Sequence, residues 1–296
     1  MIFFYGEGRL GNQVFQYQAL CAIARPGEMI FAAGLESLPE LFDINGPKLA
    51  ILTRNGFLKR LIKFLLIPFI VRPAVRTLRL ANYVYEPLLE FGGRAQPGGE
   101  MAFRRGLLGR LTFVDGGHYQ NPSLWQVLFP TATLSLKAPV RDAARRLLSA
   151  LPPAAGGSSF VHVRRGDYLN YQVYGVADVC LPAGFYRAAI AELRRRVGET
   201  HLVFITDDPD WVAEHLGDIQ GQTILSNDVS MDFAVMTECM NGIISNSTFS
   251  LAAAFIMANA GIVIAPEYWY GFSVGAWYPP KIRCEHEKVL YLGVPV

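Results

Sequence analysis

Short apolar runs alternate with helical patterns along this chain, and that alternation limits the fold more than any single motif. Ile2 to Tyr5 reads as a strand, Gly6 to Gly11 as a loop and Asn12 to Ala24 as a helix, with a second strand at Met29 to Ala33. The pattern returns with a strand at Phe160 to Val163, a helix at Ala183 to Val197 and a strand at Leu202 to Thr206. A helix over Pro209 to Leu216, capped by Asp208, follows. Then come a helix at Asp232 to Cys239, a strand at Gly242 to Ser245, a helix at Ser247 to Ala260 and a strand at Ile262 to Ala265. Strands alternating with helices imply α/β domains built on parallel sheets. In such sheets ligands sit beyond the carboxyl ends of the strands. The 296 residues are 51% apolar and 18% charged, enough for two well-buried cores. Leu151-Pro-Pro-Ala-Ala-Gly-Gly-Ser-Ser159 is a poor helix or strand interior and a good hinge, so the expected domains are 1–151 and 152–296.

Composition removes several function classes. A net charge of +2 argues against nucleic acid as a partner, which calls for a strong basic excess. Cys21, Cys180, Cys239 and Cys284 lie far apart without metal-ligand spacing and read as reduced thiols of a cytoplasmic protein. The opening Met1-Ile-Phe-Phe-Tyr5 is strand-like, with none of the basic lead or cleavage pattern of a secretory signal. Between Ile44 and Tyr85 there is no acidic residue, whereas Lys48, Arg54, Lys59, Arg60, Lys63, Arg72, Arg76 and Arg79 all fall there. The apolar run Leu61 to Val71 inside it is too short to span a bilayer, which needs about 20 residues. Two readings stand for 57–80: a core helix with a solvated basic face, or a peripheral contact with an anionic membrane at the inner face of the cytoplasmic membrane.

Four polar motifs fall at strand ends. His162-Val-Arg164-Arg165-Gly-Asp167 follows an apolar run. Adjacent arginines repel, and one carboxylate two residues on holds only one of them well. The other is available to a dianion such as a pyrophosphate, whose oxygens an arginine meets bidentately. The bland alternative is a surface ion pair. Phe204-Ile-Thr-Asp207-Asp208-Pro offers two carboxylates, one to cap the next helix and one for a ribose or a base such as guanine. Ser245-Asn-Ser-Thr-Phe-Ser250 is a hydroxyl-rich turn opening a helix, a ready anion site of which simple capping explains only part. Gly6-Glu-Gly8-Arg-Leu-Gly11, with Glu36 beyond the second strand, has dinucleotide-fingerprint spacing. Its helix, however, begins Asn12-Gln13, two amides where a dinucleotide site needs small apolar residues. A sugar hydroxyl or phosphate oxygen suits them better. Asp115-Gly-Gly-His118-Tyr-Gln120 is by itself an ordinary polar turn.

Together these residues resemble the α-1,2-fucosyltransferases of glycosyltransferase family 11. Gly8-Arg-Leu-Gly11-Asn12-Gln13-Val-Phe15-Gln16-Tyr17 is similar to the family's GGLGNQMFQYA opening. His162 to Asp167 matches HxRRxD, a motif shared with α-1,6- and protein O-fucosyltransferases. Tyr174 to Cys180 with Phe185 to Ile190 resembles the segment that follows it, Thr206-Asp207-Asp208 with Trp211 resembles SDDxxW, and Ser245 to Ser250 resembles SNSSFS. The resemblance implies a GT-B fold, two Rossmann-like domains with parallel sheets facing across a cleft. It also implies inverting transfer of fucose from GDP-β-L-fucose to a galactose-containing glycan acceptor, with no cofactor and no required metal.

Carried onto this chain, Arg164 would stabilise the departing GDP, braced by Arg165 and Asp167. His162 and one of Asp207 and Asp208 would read guanine or ribose. Ser247, Thr248 and Ser250 would hold the phosphates, with Gly11 on the donor side as well. Asn12 would reach the reacting centre from the other domain. Asp115, His118 and Gln120 are the acceptor-side candidates. The base is open between Asp178, Glu7 and Asp115, or a displacement with late proton loss. Leu251 and Ala252 stand where the family often has two tryptophans, and Arg9 replaces a common glycine. The other readings are a fucosyltransferase of α-1,3 or α-1,6 linkage and a non-catalytic nucleotide- or glycan-binding protein.

Overall fold

The computed structural model describes residues 1–91, 94–97, 100–120, 133–171, 179–257, 261–280 and 282–295. The chain forms two compact units, Met1–Ser135 and Leu136–Val296. The expected division lay at 151/152. The structure instead gives the helix Ala138–Ser149 to the second unit. There it packs on the helix Val229–Glu238, and Arg145 Nε meets Glu238 Oε2 at 2.7 Å.

In the first unit six strands form one sheet: β1 (Ile2–Tyr5), β2 (Ile30–Ala33), β3 (Leu49–Ile51), β4 (Ala81–Tyr85), β5 (Ala102–Arg104) and β6 (Leu108–Val114). Their order is β3-β2-β1-β6-β4-β5, parallel except for the edge pair β4–β5. The strand order reverses between β1 and β6. The loops leaving those two strands are the glycine loop and the Asp115 turn. The helix α1 (Leu10–Ile23) starts two residues earlier than expected, because Gly8 turns the chain at φ +99°.

The second unit carries β7 (Ser158–Val163), β8 (His201–Thr206), β9 (Gln222–Leu225), β10 (Asn241–Ile243), β11 (Val263–Pro266) and β12 (Val289–Leu292). The sheet runs β9-β8-β7-β10-β11-β12, parallel throughout, which is the doubly wound dinucleotide-fold order. β8 is buried at every position, as a strand covered by helices on both faces must be. The core gathers Val161, Phe185, Tyr186, Leu202, Phe204, Ile243 and Ile264. Asp208 caps α2 (Pro209–Leu216) as expected, accepting from Trp211 N at 3.1 Å. The helix expected from Asp232 begins at Val229, because Asp228 caps it by accepting from Ser230 N and Met231 N, both at 2.9 Å. α3 (Thr248–Ile256) ends earlier than expected, and 258–260 lie outside the described residues.

Gly56–Leu61 is α-helical and continues into a π-helical stretch, Ile62–Val71, that contains Pro68. Ile67 anchors it to a small core with Val75 and Tyr83. Its other side is bare: Phe57 is 73% exposed, Phe64 64% and Phe69 71%. A core helix would cover these rings, so that reading fails for this face. No helix among the described residues is long and apolar enough to cross a membrane.

Candidate functional site

In the second unit the strand order reverses between β7 and β10, and this is where a ligand crevice opens in such sheets. β7 delivers the arginine motif there and β10 the hydroxyl-rich turn. β8 lies beside β7 in parallel register, with His162 opposite Ile205 and Val163 opposite Thr206. Continued past the strand ends, that register sets Arg164 against Asp207 and Arg165 against Asp208. The side chains pair in the same way. Arg164 Nη1 lies 2.7 Å from Asp207 Oδ2, and Arg165 Nε lies 3.1 Å from Asp208 Oδ2.

The two arginines differ in what remains to them. Arg164 also binds Asp167 through Nη2, and its guanidinium lies 5.7 Å from the Tyr168 ring centre. These carboxylates use two of its five N–H donors, so its fork is aimed and still able to donate. Arg165 lies over Trp211 at 4.3 Å, and its side chain serves that stack and Asp208. Its contribution to aiming Arg164 runs through its backbone: Arg165 N donates to Asp207 Oδ1 at 2.8 Å. A Cβ on Gly166 would come within 2.6 Å of Asp207 Oδ2, so this position must be glycine for the brace to close. Asp207 and Asp208, one of them expected at the nucleoside, are here both engaged by arginines. Asp208 is in addition the helix cap.

His162, also expected at the nucleoside, is buried, with Nδ1 2.8 Å from Ser245 Oγ and its ring 5.7 Å from that of Phe249. Burial, reinforced by the Arg164 charge, pushes its imidazole down to about 3, so it is neutral at physiological pH. Ser247 caps α3, accepting from Phe249 N at 3.3 Å, and Ser250 Oγ donates to Ser247 O at 3.2 Å. Thr248 opens the helix and is only half buried. The α3 N-terminus thus brings hydroxyls and partial positive charge to the reversal point. Tyr168, one turn beyond the arginines, reaches Asn246 O at 3.2 Å and Tyr270 Oη at 2.7 Å. Tyr270 was not legible as a site residue, because its contact depends on packing 102 positions away.

The first unit's motifs knit its two loops together. Gln16 Nε2 donates to Glu7 O at 2.8 Å and to Gly117 O at 2.9 Å. Gln120 Nε2 donates to Asn12 Oδ1 at 3.0 Å. Gln13 binds Ser37 through both ends of its amide, at 3.1 and 3.3 Å. Glu36, the residue a dinucleotide reading needs for ribose, accepts from Gly34 N at 2.8 Å and pairs with Lys59 at 3.3 Å. Gly11 is buried in the first turn of α1.

Asp115 is buried and fully used. Arg72 reaches it at 3.1 Å and Arg76 at 2.7 Å; Gly116 N donates at 3.0 Å and Tyr83 through its hydroxyl. A carboxylate so engaged is a structural anchor, both of its oxygens taken by donors of the protein itself. Glu7 pairs with Lys63 at 3.0 Å, and His118 is exposed. Asp178 lies outside the described residues, as does most of the Tyr174 to Cys180 segment. The sequence reading missed Glu86, which follows β4 directly and accepts from Tyr119 N at 3.1 Å. The signal was there in principle: a carboxylate at a strand end, before Pro87. Among the described residues no group of three or more His, Cys, Asp or Glu is placed to hold a metal ion.

Residues 133–274 match the glycosyl transferase family 11 model. Over that stretch, just under half of its length, the chain is similar to family 11. It is 28% identical over 115 residues to the O-antigen biosynthesis glycosyltransferase WbnK of Escherichia coli, covering 37% of this chain and 38% of that one. It is 25% identical over 269 residues to the galactoside α-(1,2)-fucosyltransferase 2 of Rattus norvegicus, covering 87% of this chain and 67% of that one. Among solved structures it resembles POFUT1 in complex with GDP-fucose (TM-score 0.53, 13% identity, 99% of this chain and 98% of that one). It also resembles the α-1,6-fucosyltransferase NodZ (TM-score 0.52, 12% identity, 90% and 94%). These likenesses place the fold in the GT-B class, α/β with two parallel-sheet units.

Proposed function

We propose that this chain is a family 11 enzyme that transfers L-fucose from GDP-β-L-fucose to the 2-hydroxyl of a galactose-containing glycan, inverting the anomeric centre to give an α-1,2-fucoside. The observation that carries it is the aimed Arg164 guanidinium at the reversal point of the second sheet, beside the hydroxyl-lined α3 N-terminus. As the bond from fucose C1 to the phosphate oxygen breaks, negative charge gathers on the β-phosphate. Donors already held in place there stabilise that charge without reorganising, and such stabilisation usually accounts for most of an enzyme's rate gain. Asp207, tethered at both oxygens, is the firm brace. Asp167 is the more exposed carboxylate and yields to the incoming phosphate. Arg164 and the α3 terminus together take the part a divalent ion plays in other glycosyl transfers. The named galactoside α-1,2-fucosyltransferases among the relatives support this linkage over α-1,3 or α-1,6, and over a binding protein without turnover.

A GDP-release assay with GDP-fucose and a panel of β-galactosides tests this. Release with terminal galactosides, an α-1,2 linkage in the product and rates unchanged by EDTA are expected. A different linkage or an EDTA-sensitive rate would overturn the corresponding part.

The bare Phe57, Phe64 and Phe69 and the surrounding Lys59, Arg60 and Lys63 support peripheral contact with an anionic bilayer at the cytoplasmic membrane. Each basic residue near such a surface contributes about 1 kcal/mol. Cosedimentation with vesicles containing anionic lipid is expected, and neutralising Lys59, Arg60 and Lys63 should weaken it by ~100-fold at that increment. Binding that ignores both changes would return the segment to a purely structural role.

A further inference from the structure

The sequence left the proton acceptor for the attacking hydroxyl open, and two of its three candidates are tied up in ion pairs. A cavity of about 380 Å³ in the first unit offers another group. It opens at the carboxyl ends of β4 and β6, beside the point where that sheet's order reverses. Tyr85, Pro87 and Leu88 give it an apolar rim, and Arg104 and Glu86 supply hydrogen-bonding edges. Apolar walls with a few placed polar groups, in a volume of this size, suit a sugar.

We propose that this cavity receives the acceptor galactoside and that the Glu86 carboxylate takes the proton of its attacking hydroxyl. The inference rests on the fucosyl-transfer reading above. The acceptor oxygen forms its bond to fucose C1, while the bond from C1 to the β-phosphate oxygen breaks with its electron pair on GDP. The hydroxyl proton passes to Glu86 and is later lost to water.

Asp115 lines the same cavity, but two arginines, a tyrosine and a backbone N–H occupy it. Glu86 has no such cationic partner among the described residues. The loop after β6 touches it through the backbone N–H groups of His118 and Tyr119, and burial outweighs both, raising its carboxyl to about 7. The remaining charges at the cavity are Arg72 and Arg76 from the helical segment, Arg104 on β5, and Asp115; Tyr83 and Tyr85 are the phenols of β4, the strand that leads into Glu86. A base whose conjugate acid titrates near the working pH combines availability with driving force.

The test compares wild type with Glu86→Gln, which keeps an oxygen to accept from Tyr119 N. For wild type, kcat/KM should rise with pH through about 7. Glu86→Gln should lose that limb and fall ~100-fold in kcat, the lower end for a general base, with GDP binding unchanged. Glu86→Asp should recover part of the rate and keep the limb. Gly117→Ala gives an independent check, since its Cβ would meet Glu86 Oε2 at 2.4 Å and push the carboxylate aside. Its transfer rate should drop while GDP binding holds. If Glu86→Gln keeps both rate and pH limb, the base assignment is overturned and the transfer reading stands. If wild type transfers no fucose to any galactoside, both are overturned.

Discussion

Arg164→Ala is expected to lower kcat for fucose transfer by about 10²–10³-fold, the loss seen when one preorganised charge-stabilising donor is removed, or about 2.7–4 kcal/mol. The guanidinium does two things that no neighbour can take over. It presents fixed donors to the β-phosphate, and it neutralises Asp207, which lies 2.7 Å away. Without it, Asp167 and Asp207 face the diphosphate as uncompensated negative charge, so GDP affinity should fall as well. Arg164→Lys should rescue little, because a single ammonium cannot span two carboxylates and still meet phosphate in the plane of a fork. Steady-state kinetics with GDP titrations would check this. Retained turnover in Arg164→Ala would remove the residue from its role. Arg165→Ala should behave differently: its backbone N–H still holds Asp207, and the loss is the stack on Trp211 and the Asp208 pair. A milder fall in rate, with some loss of stability, is the expected pattern.

The second large effect is on stability in acid. His162 is folded neutral, its imidazole pushed to about 3 by burial and by Arg164, while the unfolded chain titrates near 6.5. Between those values the unfolded chain binds a proton that the folded chain refuses, so stability rises with pH across that window. Its contribution is fully present above 6.5 and lost as pH falls, at about 1.4 kcal/mol per pH unit for one group. At pH 4.5 the folded chain should be roughly 2–3 kcal/mol weaker on this account alone. Carboxylates add their own slope in that range, so the informative quantity is the difference from His162→Asn, whose amide still faces Ser245 but cannot take up a proton. Urea unfolding at several pH values should show a shallower loss in His162→Asn between pH 6.5 and 4.5. Equal slopes would mean that water reaches the imidazole.

Most of the second unit was legible as sequence. Its buried strands are short apolar runs, its helices carry Asp208 and Ser247 as caps, and each polar motif stands at a strand end. Where the reading stopped short, the cause was local. Asp228 makes a helix start three residues before the apolar pattern does. The hinge-like prolines near 152 mark a loop inside the second unit, because the preceding helix finds its packing partner there. The basic, apolar segment at 57–80 was legible only as an ambiguity, since exposure and burial of the same phenylalanines give the same letters.

The sequence by itself determined the class of fold and the chemistry of the polar motifs: alternating strands and helices, paired arginines, paired aspartates and a hydroxyl-rich turn, in the order of the family they resemble. It did not determine how those charges are shared. Arg164 with Asp207 and Arg165 with Asp208 are partners far apart in the chain, made neighbours by the register of β7 on β8. That register is set by the pairing of whole buried strands, which no local pattern encodes. Tertiary packing likewise turned His162 inward, used up Asp115 in a cage of arginines, and left Glu86 at the edge of a cavity. Each outcome follows from the cost of burying a charge without a partner, and partners are chosen by the fold.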